Sequence, residues 1–534
     1  MAIGAPSESP AIIVKEVDLT GGVPNVQSTT GAFAGSFRWG PMEEATLVDT
    51  EATLASTFGA PDNTHAVDFH TASSFLSYAN ALQISRIADS GALNATDDSG
   101  TAALIKNNDA WDNGSWTGDV FAKHAGTLGN SLKIQVAGPV SWATAGASFQ
   151  AQFDGAPTGT ERHILVTDED GVITGTAGTV LERFSYVSSS TSATLADGST
   201  NYEKNVVNRQ SNYIRVNAAT LDSNAAISLQ SGADGTRTTG NVQTALDVFN
   251  DKDTITVDFM IAPNMANASD QQTIVNDMVV TAGTTRKDCV VITSPSSASV
   301  VGVSDPVSAS VTEAASYTYS SYLFVDNNHL KVYDKYNDKY INIPAAGSTA
   351  GIMAASDANS APWFSPAGSR RGAYLGVTSL AYTPTKAQRD TLYKAGINPI
   401  ANLPGQGILL YGDKTHLNRP SAFDRINVRR LFNVVERAVS QAARNTLFEL
   451  NDEFTRAEFV NITEPFLREI KGRRGITDFR VVCDETNNTP AVIDRNEFIA
   501  NIFIKPARSI NYITLNFVAV RSGVDFEEVA GLSV

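Results

Sequence analysis

Histidine and cysteine, the residue types that most often hold metals or act as nucleophiles, are few and scattered in this sequence. The histidines stand at positions 65, 70, 124, 163, 329 and 416, and none has a His, Cys or Glu at metal-ligand spacing. Cys289 and Cys483 each stand alone in an apolar run, so two reduced, buried thiols are predicted, with one disulfide as the alternative. These residues predict no metal and no cofactor.

Phosphate-binding and nucleophile motifs are also missing from the sequence. Gly405 and Gly407 precede a strand-like run at residues 408–411, and not a helix whose N-terminus could hold an anion. There is no P-loop Lys-Ser/Thr pair and no Gly-x-Ser-x-Gly elbow. The sequence therefore predicts no catalytic residue and no enzyme. The rival interpretation is a hydrolase with a subtilisin-like region at residues 240–350, but no suitable Asp, His and Ser set supports it.

Length and composition narrow the class of protein further. A chain of 534 residues exceeds one compact core and predicts roughly two to four domains. No apolar stretch reaches the ~18 residues of a membrane span, and the first ten residues do not form a signal peptide, so no membrane insertion is predicted. The net charge of −16 argues against direct nucleic-acid binding and favours a subunit that stays soluble until it assembles.

The hydrophobic periodicity divides the chain into regions. Residues 21–96 and 238–355 alternate helix and strand patterns, which predicts one α/β middle domain. Residues 97–237 are rich in turn residues and short alternating runs, which predicts an all-β insertion domain that faces outward. Residues 356–505 predict a C-terminal α/β core domain. In the middle domain, helices are predicted at residues 50–58, 66–82, 241–250 and 268–282, and strands at residues 32–37, 83–88, 255–261 and 288–293.

A long helix is predicted over residues 421–450. Its apolar face consists of Val428, Leu431, Phe432, Val435, Ala438, Val439 and Ala442. Arg430, Arg437 and Arg444 recur every seven residues and so form a straight basic stripe on the opposite side. This stripe is either a binding surface for an acidic partner or a solvated face with local pairs, such as Arg437 with Glu436.

A second basic feature follows a helix predicted over residues 455–469. The turn after it carries Lys471, Arg473 and Arg474. It is the other candidate for a surface that binds an acidic partner.

Both ends of the chain carry β-prone runs. Ala11–Leu19 has no local hairpin partner, so it pairs with a distant strand, either at the edge of its own domain or in another chain. Ser509–Arg521 is a long run near the other end. These runs predict N- and C-terminal arms at residues 1–20 and 506–534, with hinges at Gly21, Gly22 and Pro506. The arm residues expected to contact neighbouring subunits are Ile12, Ile13, Val14, Val17, Ile510, Ile513, Leu515 and Phe517. The predicted fold class is α+β multidomain.

Several ordered segments carry a family resemblance over nearly the whole chain. They are Ala122–Leu132, Ser231–Gly235, Leu330–Asp334, Ile343–Pro344, Ala350–Gly351, Pro362–Gly368, Asn427–Leu431 and Gly475–Ile476. The first is similar to a Pro-Gly-x-x-Gly-Asn-Ser pattern, with Ala125 in place of Pro, and Pro362–Gly368 ends the most specific series. Together they resemble the sheath protein family of contractile bacteriophage tails.

The resemblance implies a structural role. Subunits of this family form six-subunit rings around a tail tube, and their arms donate strands to the C-terminal domains of neighbours. Contraction then drives the tube through the host envelope. The implied partners are other copies of the chain, the tail tube protein, and the baseplate and tail terminator proteins. The implied location is the virion tail, and the host cytoplasm during assembly. The basic stripe or the basic turn would face an acidic tube surface. The sheath of a tailocin or other contractile injection system is the alternative.

Overall fold

A computed structural model describes residues 29–222 and 224–511. Its strands, in chain order, are β1 (Gly31–Gly35), β2 (Ala45–Val48), β3 (Leu82–Arg86), β4 (Val120–Ala122), β5 (Leu132–Ala137), β6 (Glu161–Asp168), β7 (Thr179–Ser188), β8 (Ile214–Val216), β9 (Ala226–Ser228), β10 (Phe259–Ile261), β11 (Val290–Thr293), β12 (Leu323–Val325), β13 (His329–Asp334), β14 (Lys339–Pro344), β15 (Ser379–Leu380), β16 (Ile400–Leu403), β17 (Gly407–Leu410), β18 (Ile476–Val482) and β19 (Asn501–Pro506).

The α-helices of the same residues alternate with these strands in several regions. They are α1 (Glu51–Phe58), α2 (Ala66–Leu76), α3 (Asn108–Asn113), α4 (Ala147–Gln150), α5 (Glu203–Gln210), α6 (Thr239–Asp247), α7 (Ala268–Val280), α8 (Ser297–Val300), α9 (Pro306–Ala314), α10 (Ala346–Asn359), α11 (Lys386–Lys394), α12 (Ile426–Ala443), α13 (Glu453–Gly472) and α14 (Pro490–Ile493). Several begin at side-chain caps of the expected type. Asn267, for example, accepts a hydrogen bond from the Asp270 backbone at the start of α7.

The middle of the molecule is a sheet with the strand order β12-β11-β10-β1-β3-β2 among the described residues. Its strands are parallel except for β2, which pairs antiparallel with β3 at one edge. Apolar residues on one face pack against α2 and α10, and those on the other against α6 and α7. Burial on both faces explains the continuous apolar runs of these strands. The sheet joins strands from the two stretches that the sequence assigned to the middle domain.

Residues 97–237 form a separate β-rich unit with its own apolar core. Strands β7, β6, β5 and β9 make one antiparallel sheet, and β4 pairs with β8. The all-β prediction is wrong in one respect, because α5 contributes Val206 and Val207 to this core. The two apolar residues of α5 are adjacent in an otherwise polar stretch, so the sequence shows little helical periodicity there.

The region from residue 356 to residue 425 packs with the middle sheet. Strand β15 pairs with β13, and Ile400, Leu410 and Ile426 belong to the same buried cluster as the residues of β1. A second cluster includes residues from α12, α13, β18 and β19 together with Ala361 and Trp363. Residues 356–425 therefore contribute to both clusters, and the boundary at residue 356 stays a prediction.

The chemical inventory of the described residues adds three findings. Cys289 and Cys483 are both buried free thiols, as the sequence predicted. Burial raises the pKa of Cys289 to about 12, so this thiol stays protonated and unreactive. In the part of the chain that the structure describes, no group of three or more His, Cys, Asp and Glu side chains could hold a metal ion. Over the same part, no helix is long and apolar enough to cross a membrane.

Candidate assembly surface

Strands β18 and β19 form a two-stranded antiparallel sheet that covers the C-terminal core. Their register runs from Ile476 opposite Pro506 to Val482 opposite Asn501, with an irregularity between Ile476 and Asp478. Within residues 29–222 and 224–511, each of these strands pairs only with the other. Both outer edges of this sheet therefore present main-chain groups with no strand beside them in the described structure.

The core beneath this sheet is only partly covered. Phe479 and Val481 on β18, and Ile502 and Ile504 on β19, pack against the C-terminal cluster but remain partly accessible. Phe503 points away from the cluster and is 59% exposed. A two-stranded sheet is marginal on its own, and additional strands would bury more of this apolar surface. This geometry is suited to accepting strands from another chain.

The predicted arms lie mostly outside the described residues. This applies to Ile12, Ile13, Val14, Val17, Gly21, Gly22, Ile513, Leu515 and Phe517. Ile510 is described, and its side chain is 82% exposed. Pro506 ends β19, and the Ala507 backbone N–H beyond it donates to the Gly475 carbonyl at 3.1 Å. The chain is thus still bonded to its own subunit after Pro506, which does not favour a hinge there.

The basic stripe of α12 is not the exposed surface that the sequence suggested. Arg430 is buried and pairs with Asp357 at the end of α10. It also donates to the Met353 carbonyl at 3.3 Å. Its guanidinium lies 5.0 Å from the centre of the Phe259 ring. The prediction that Arg430 lies on an exposed stripe is therefore wrong, because its charge is neutralised inside the protein.

Arg437, two helical turns further along α12, also points into the protein. Its guanidinium lies 2.6 Å from an Asp258 carboxylate oxygen and 3.6 Å from one of Asp288. It also donates to the Val257 carbonyl at 3.0 Å. Burial alone would lower the pKa of Arg437, but attraction by Asp258 and Asp288 raises it above its ordinary value. Arg437 is therefore largely buried, and its charge is paired with Asp258 and Asp288.

Arg444 completes the row on the surface. It pairs with Asp253 at 2.5 Å, and both side chains are 64% exposed. The three arginines thus each meet an aspartate from the middle-sheet region, and together they dock α12 onto that region. We call Arg430, Arg437 and Arg444 with these partners the arginine ladder. Seven-residue spacing located the row correctly, but periodicity alone cannot distinguish a solvated charge from one paired across a domain contact.

The basic turn after α13 remains exposed. Lys471 pairs with Asp478 at 3.2 Å, and Arg473 lies over the Trp363 ring with 5.1 Å between its guanidinium and the ring centre. Arg474 has a positive φ of 67°. The side chains of Lys471, Arg473 and Arg474 are therefore accessible to a partner, whereas two of the three stripe residues are not.

An exposed apolar segment between α12 and α13 was missed by the sequence reasoning. Leu447, Phe448, Leu450 and Phe454 are largely exposed, and Phe448 completely so. The long helix predicted to residue 450 hid this segment, because α12 ends at Ala443 and a short turn follows. The sequence signal that could have identified this segment is its Leu-Phe-x-Leu pattern, which lies outside the apolar stripe of α12. Exposed clusters of large apolar side chains commonly mark contact surfaces.

Two family models match consecutive parts of this chain. The Phage tail sheath protein central domain matches residues 235–416, and the Phage tail sheath C-terminal domain matches residues 418–519. The tail sheath protein of Enterobacteria phage T4 is 32% identical, with 98% of this chain and 99% of that protein covered. The tail sheath protein of Vibrio phage KVP40 is 31% identical, with 98% and 99% covered.

Solved structures show the same fold at low identity. A sheath tail protein from Listeria innocua aligns with a TM-score of 0.59 at 13% identity, covering 91% of this chain and 94% of that one. The helical sheath of the anti-feeding prophage in its contracted state aligns with a TM-score of 0.54 at 12% identity, covering 96% and 99%.

These matches establish the class of protein. The relatives are structural tail proteins, so the chain is a structural protein and the prediction that it is not an enzyme is confirmed. It belongs to the tail sheath protein family of contractile tails, which confirms the resemblance found in the sequence.

Proposed function

We propose that this chain is the subunit of a contractile tail sheath that polymerises by strand exchange. The observation that carries the proposal is the sheet of β18 and β19, neither of whose outer edges has a neighbouring strand among residues 29–222 and 224–511, above a partly covered apolar core. The arms at residues 1–20 and 506–534 supply strands of suitable length and alternating apolar pattern. Each main-chain hydrogen bond contributes about 1 kcal/mol, so a strand of several residues forms a stable joint.

The assembly follows from this joint. Subunits form stacked six-subunit rings around a tail tube, and the sheath shortens to drive the tube through the host envelope. The baseplate and tail terminator proteins bind its two ends. The protein resides in the virion tail after assembly in the host cytoplasm. Identity to phage relatives is higher than to the anti-feeding prophage sheath, 32% against 12%, which favours a phage tail over another contractile injection system.

Deletion of residues 1–20 is expected to abolish ordered sheath and leave a folded monomer, because one donor strand is lost while the described cores are untouched. Electron microscopy of the concentrated protein and circular dichroism of the dilute protein measure the two results. Replacing Ile13 and Val17 by Asp in the full chain should have the same effect, whereas Lys15→Ala is the matched control. Normal contractile tubes from the deletion variant would refute strand donation by this arm.

The exposed basic groups Arg444, Lys471, Arg473 and Arg474 are proposed to face an acidic tube surface. Charge reversal at Lys471 and Arg474 is expected to reduce tube-templated assembly, and to make what remains less dependent on salt. Co-sedimentation of sheath with purified tubes at several salt concentrations measures this. Lys386→Glu, at an exposed site on α11, is the control. Equal co-sedimentation of the reversed and control variants would remove the turn from the tube interface.

A further inference from the structure

The C-terminal arm begins with a segment that is bonded to its own subunit beyond β19. The Ser509 hydroxyl donates to an Asp413 carboxylate oxygen at 2.9 Å. The Asn511 side-chain amide donates to the other Asp413 oxygen at 3.3 Å and to the Tyr393 hydroxyl at 3.2 Å. Between them, the Ile510 side chain projects into solvent. The segment is therefore attached by polar bonds and not by apolar burial.

Asp413 is held in place independently of the arm. Its side chain is buried, and it accepts from Arg425 at 3.0 Å and from the Ser365 hydroxyl at 3.0 Å. Arg425 also donates to the Tyr393 hydroxyl at 2.5 Å, so Tyr393 is oriented by the same group. The acceptor site is thus built by residues 365–425 and is complete before the arm reaches it. Charge-assisted hydrogen bonds of this kind are stronger than neutral ones.

We propose that the Asp413 site, consisting of Asp413, Tyr393, Arg425 and Ser365, anchors the root of the C-terminal arm, so that the arm is held on its own subunit as far as residue 511. The proposal rests on strand donation by this arm. A fixed root shortens the free tether and raises the effective concentration of the donated strand at its acceptor. It also lowers the conformational entropy that is lost when the strand pairs. Asp413 is a positioning residue in this scheme.

The location of the site gives the anchor a second consequence. Asp413 and Tyr393 lie close in the chain to Leu410 and Leu392, which pack with the middle sheet, whereas Ser365 follows Phe364 of the C-terminal core, to which β19 also belongs. Tension on the arm is therefore transferred to the junction between the two units and is not borne by the β18–β19 sheet alone.

The double variant Ser509→Ala/Asn511→Ala removes the bonds from the arm side and leaves Asp413, Arg425 and Tyr393 intact. Amide exchange of Ala507, whose backbone N–H is bonded to the Gly475 carbonyl, is expected to become about fivefold faster in the monomer, since the loss of one hydrogen bond's worth of local stability corresponds to about that factor. The critical concentration for sheath formation is expected to rise by a similar factor. Ser190→Ala/Asn224→Ala, on the insertion domain, is the control. Unchanged exchange and unchanged critical concentration would overturn the anchor.

A crosslink tests whether the root stays attached in the sheath. The Ser365 and Ser509 hydroxyls bind the same Asp413 oxygen, so cysteines at both positions should form a disulfide in the monomer. The oxidised Ser365→Cys/Ser509→Cys variant is expected to assemble as well as the reduced one. Assembly of the oxidised variant only after reduction would refute the anchor. Absence of polymer from the unmodified protein would instead refute the proposed function, because the exchange measurement on the monomer is independent of assembly.

Discussion

Replacing Arg430 by Ala is expected to destabilise the monomer by about 3–5 kcal/mol, because it removes one member of the buried ion pair that Arg430 forms with Asp357. The two side chains are only 4% and 2% exposed, so water cannot replace the lost partner. The loss should appear as an earlier unfolding transition in denaturant, followed by circular dichroism. Impaired sheath assembly in this variant would then reflect a defective subunit and not a lost tube contact.

Two further variants make this prediction specific. Arg444→Ala removes the exposed arginine of the arginine ladder and should lower the free energy of unfolding by less than about 1 kcal/mol. The double variant Arg430→Met/Asp357→Leu removes both buried charges and should recover most of the lost stability, since an apolar pair avoids the desolvation of two ions. If Arg430→Ala were no more damaging than Arg444→Ala, the buried pair would not stabilise the docking of α12.

Acid is expected to destabilise the monomer between pH 6.5 and pH 4, with His329 as a main cause. Burial lowers the pKa of His329 to about 4, although a hydrogen bond to the Pro295 carbonyl at 2.9 Å opposes the shift. A neutral His329 therefore supports the fold above pH 6.5, and this contribution of about 3 kcal/mol is lost as the pH falls through 4. The unfolding midpoint measured across this range should fall less in His329→Gln, which keeps a side-chain N–H but does not titrate.

A neighbouring carboxyl group acts in the opposite direction and provides the control. Burial raises the pKa of Asp326 to about 7, so its contribution is present in acid and lost as the pH rises through 7. Asp326→Asn should therefore make the acid-induced loss of stability steeper. The assignment to His329 would be wrong if His329→Gln lost as much stability between pH 6.5 and pH 4 as the unmodified protein.

The sequence predicted the elements whose apolar periodicity is strong. Helices α1, α6 and α7 and strands β3 and β11 lie within a few residues of their predicted positions, whereas the helix predicted over residues 66–82 begins as expected but ends at Leu76. Burial on one or two faces leaves a regular spacing of apolar residues in such elements, and this spacing alone locates them in the sequence. The helix predicted over residues 421–450 was too long at both ends, since α12 runs from Ile426 to Ala443 and the turn after it, Arg444–Thr446, contains Asn and Thr, which are weak helix formers.

The candidate site was predictable in kind but not in detail. Terminal β-prone runs without local partners indicated strand exchange. The inward direction of Arg430 and Arg437 depends on Asp357 and Asp258, which are distant in sequence and carry no spacing signal. The Asp413 site joins residues from 365 to 511 in the same way. Such pairs of residues, distant in the sequence, are brought together by the fold, and the local spacing of residues does not reveal them.

The β-rich insertion domain is joined to the middle domain by two segments that run side by side. Isolated bridges pair Ser90 with Thr236 and Leu93 with Ala233, so the chain leaves and returns at one place. The alignment with the T4 relative spans 656 positions against 534 residues here, so that relative carries residues that this chain lacks. Two adjacent connecting segments of this kind are a suitable place to join a foreign sequence to the subunit. A foreign domain with adjacent termini could be exchanged for residues 97–232 and displayed in many regularly spaced copies along a sheath, without a cut in either apolar core of the subunit body.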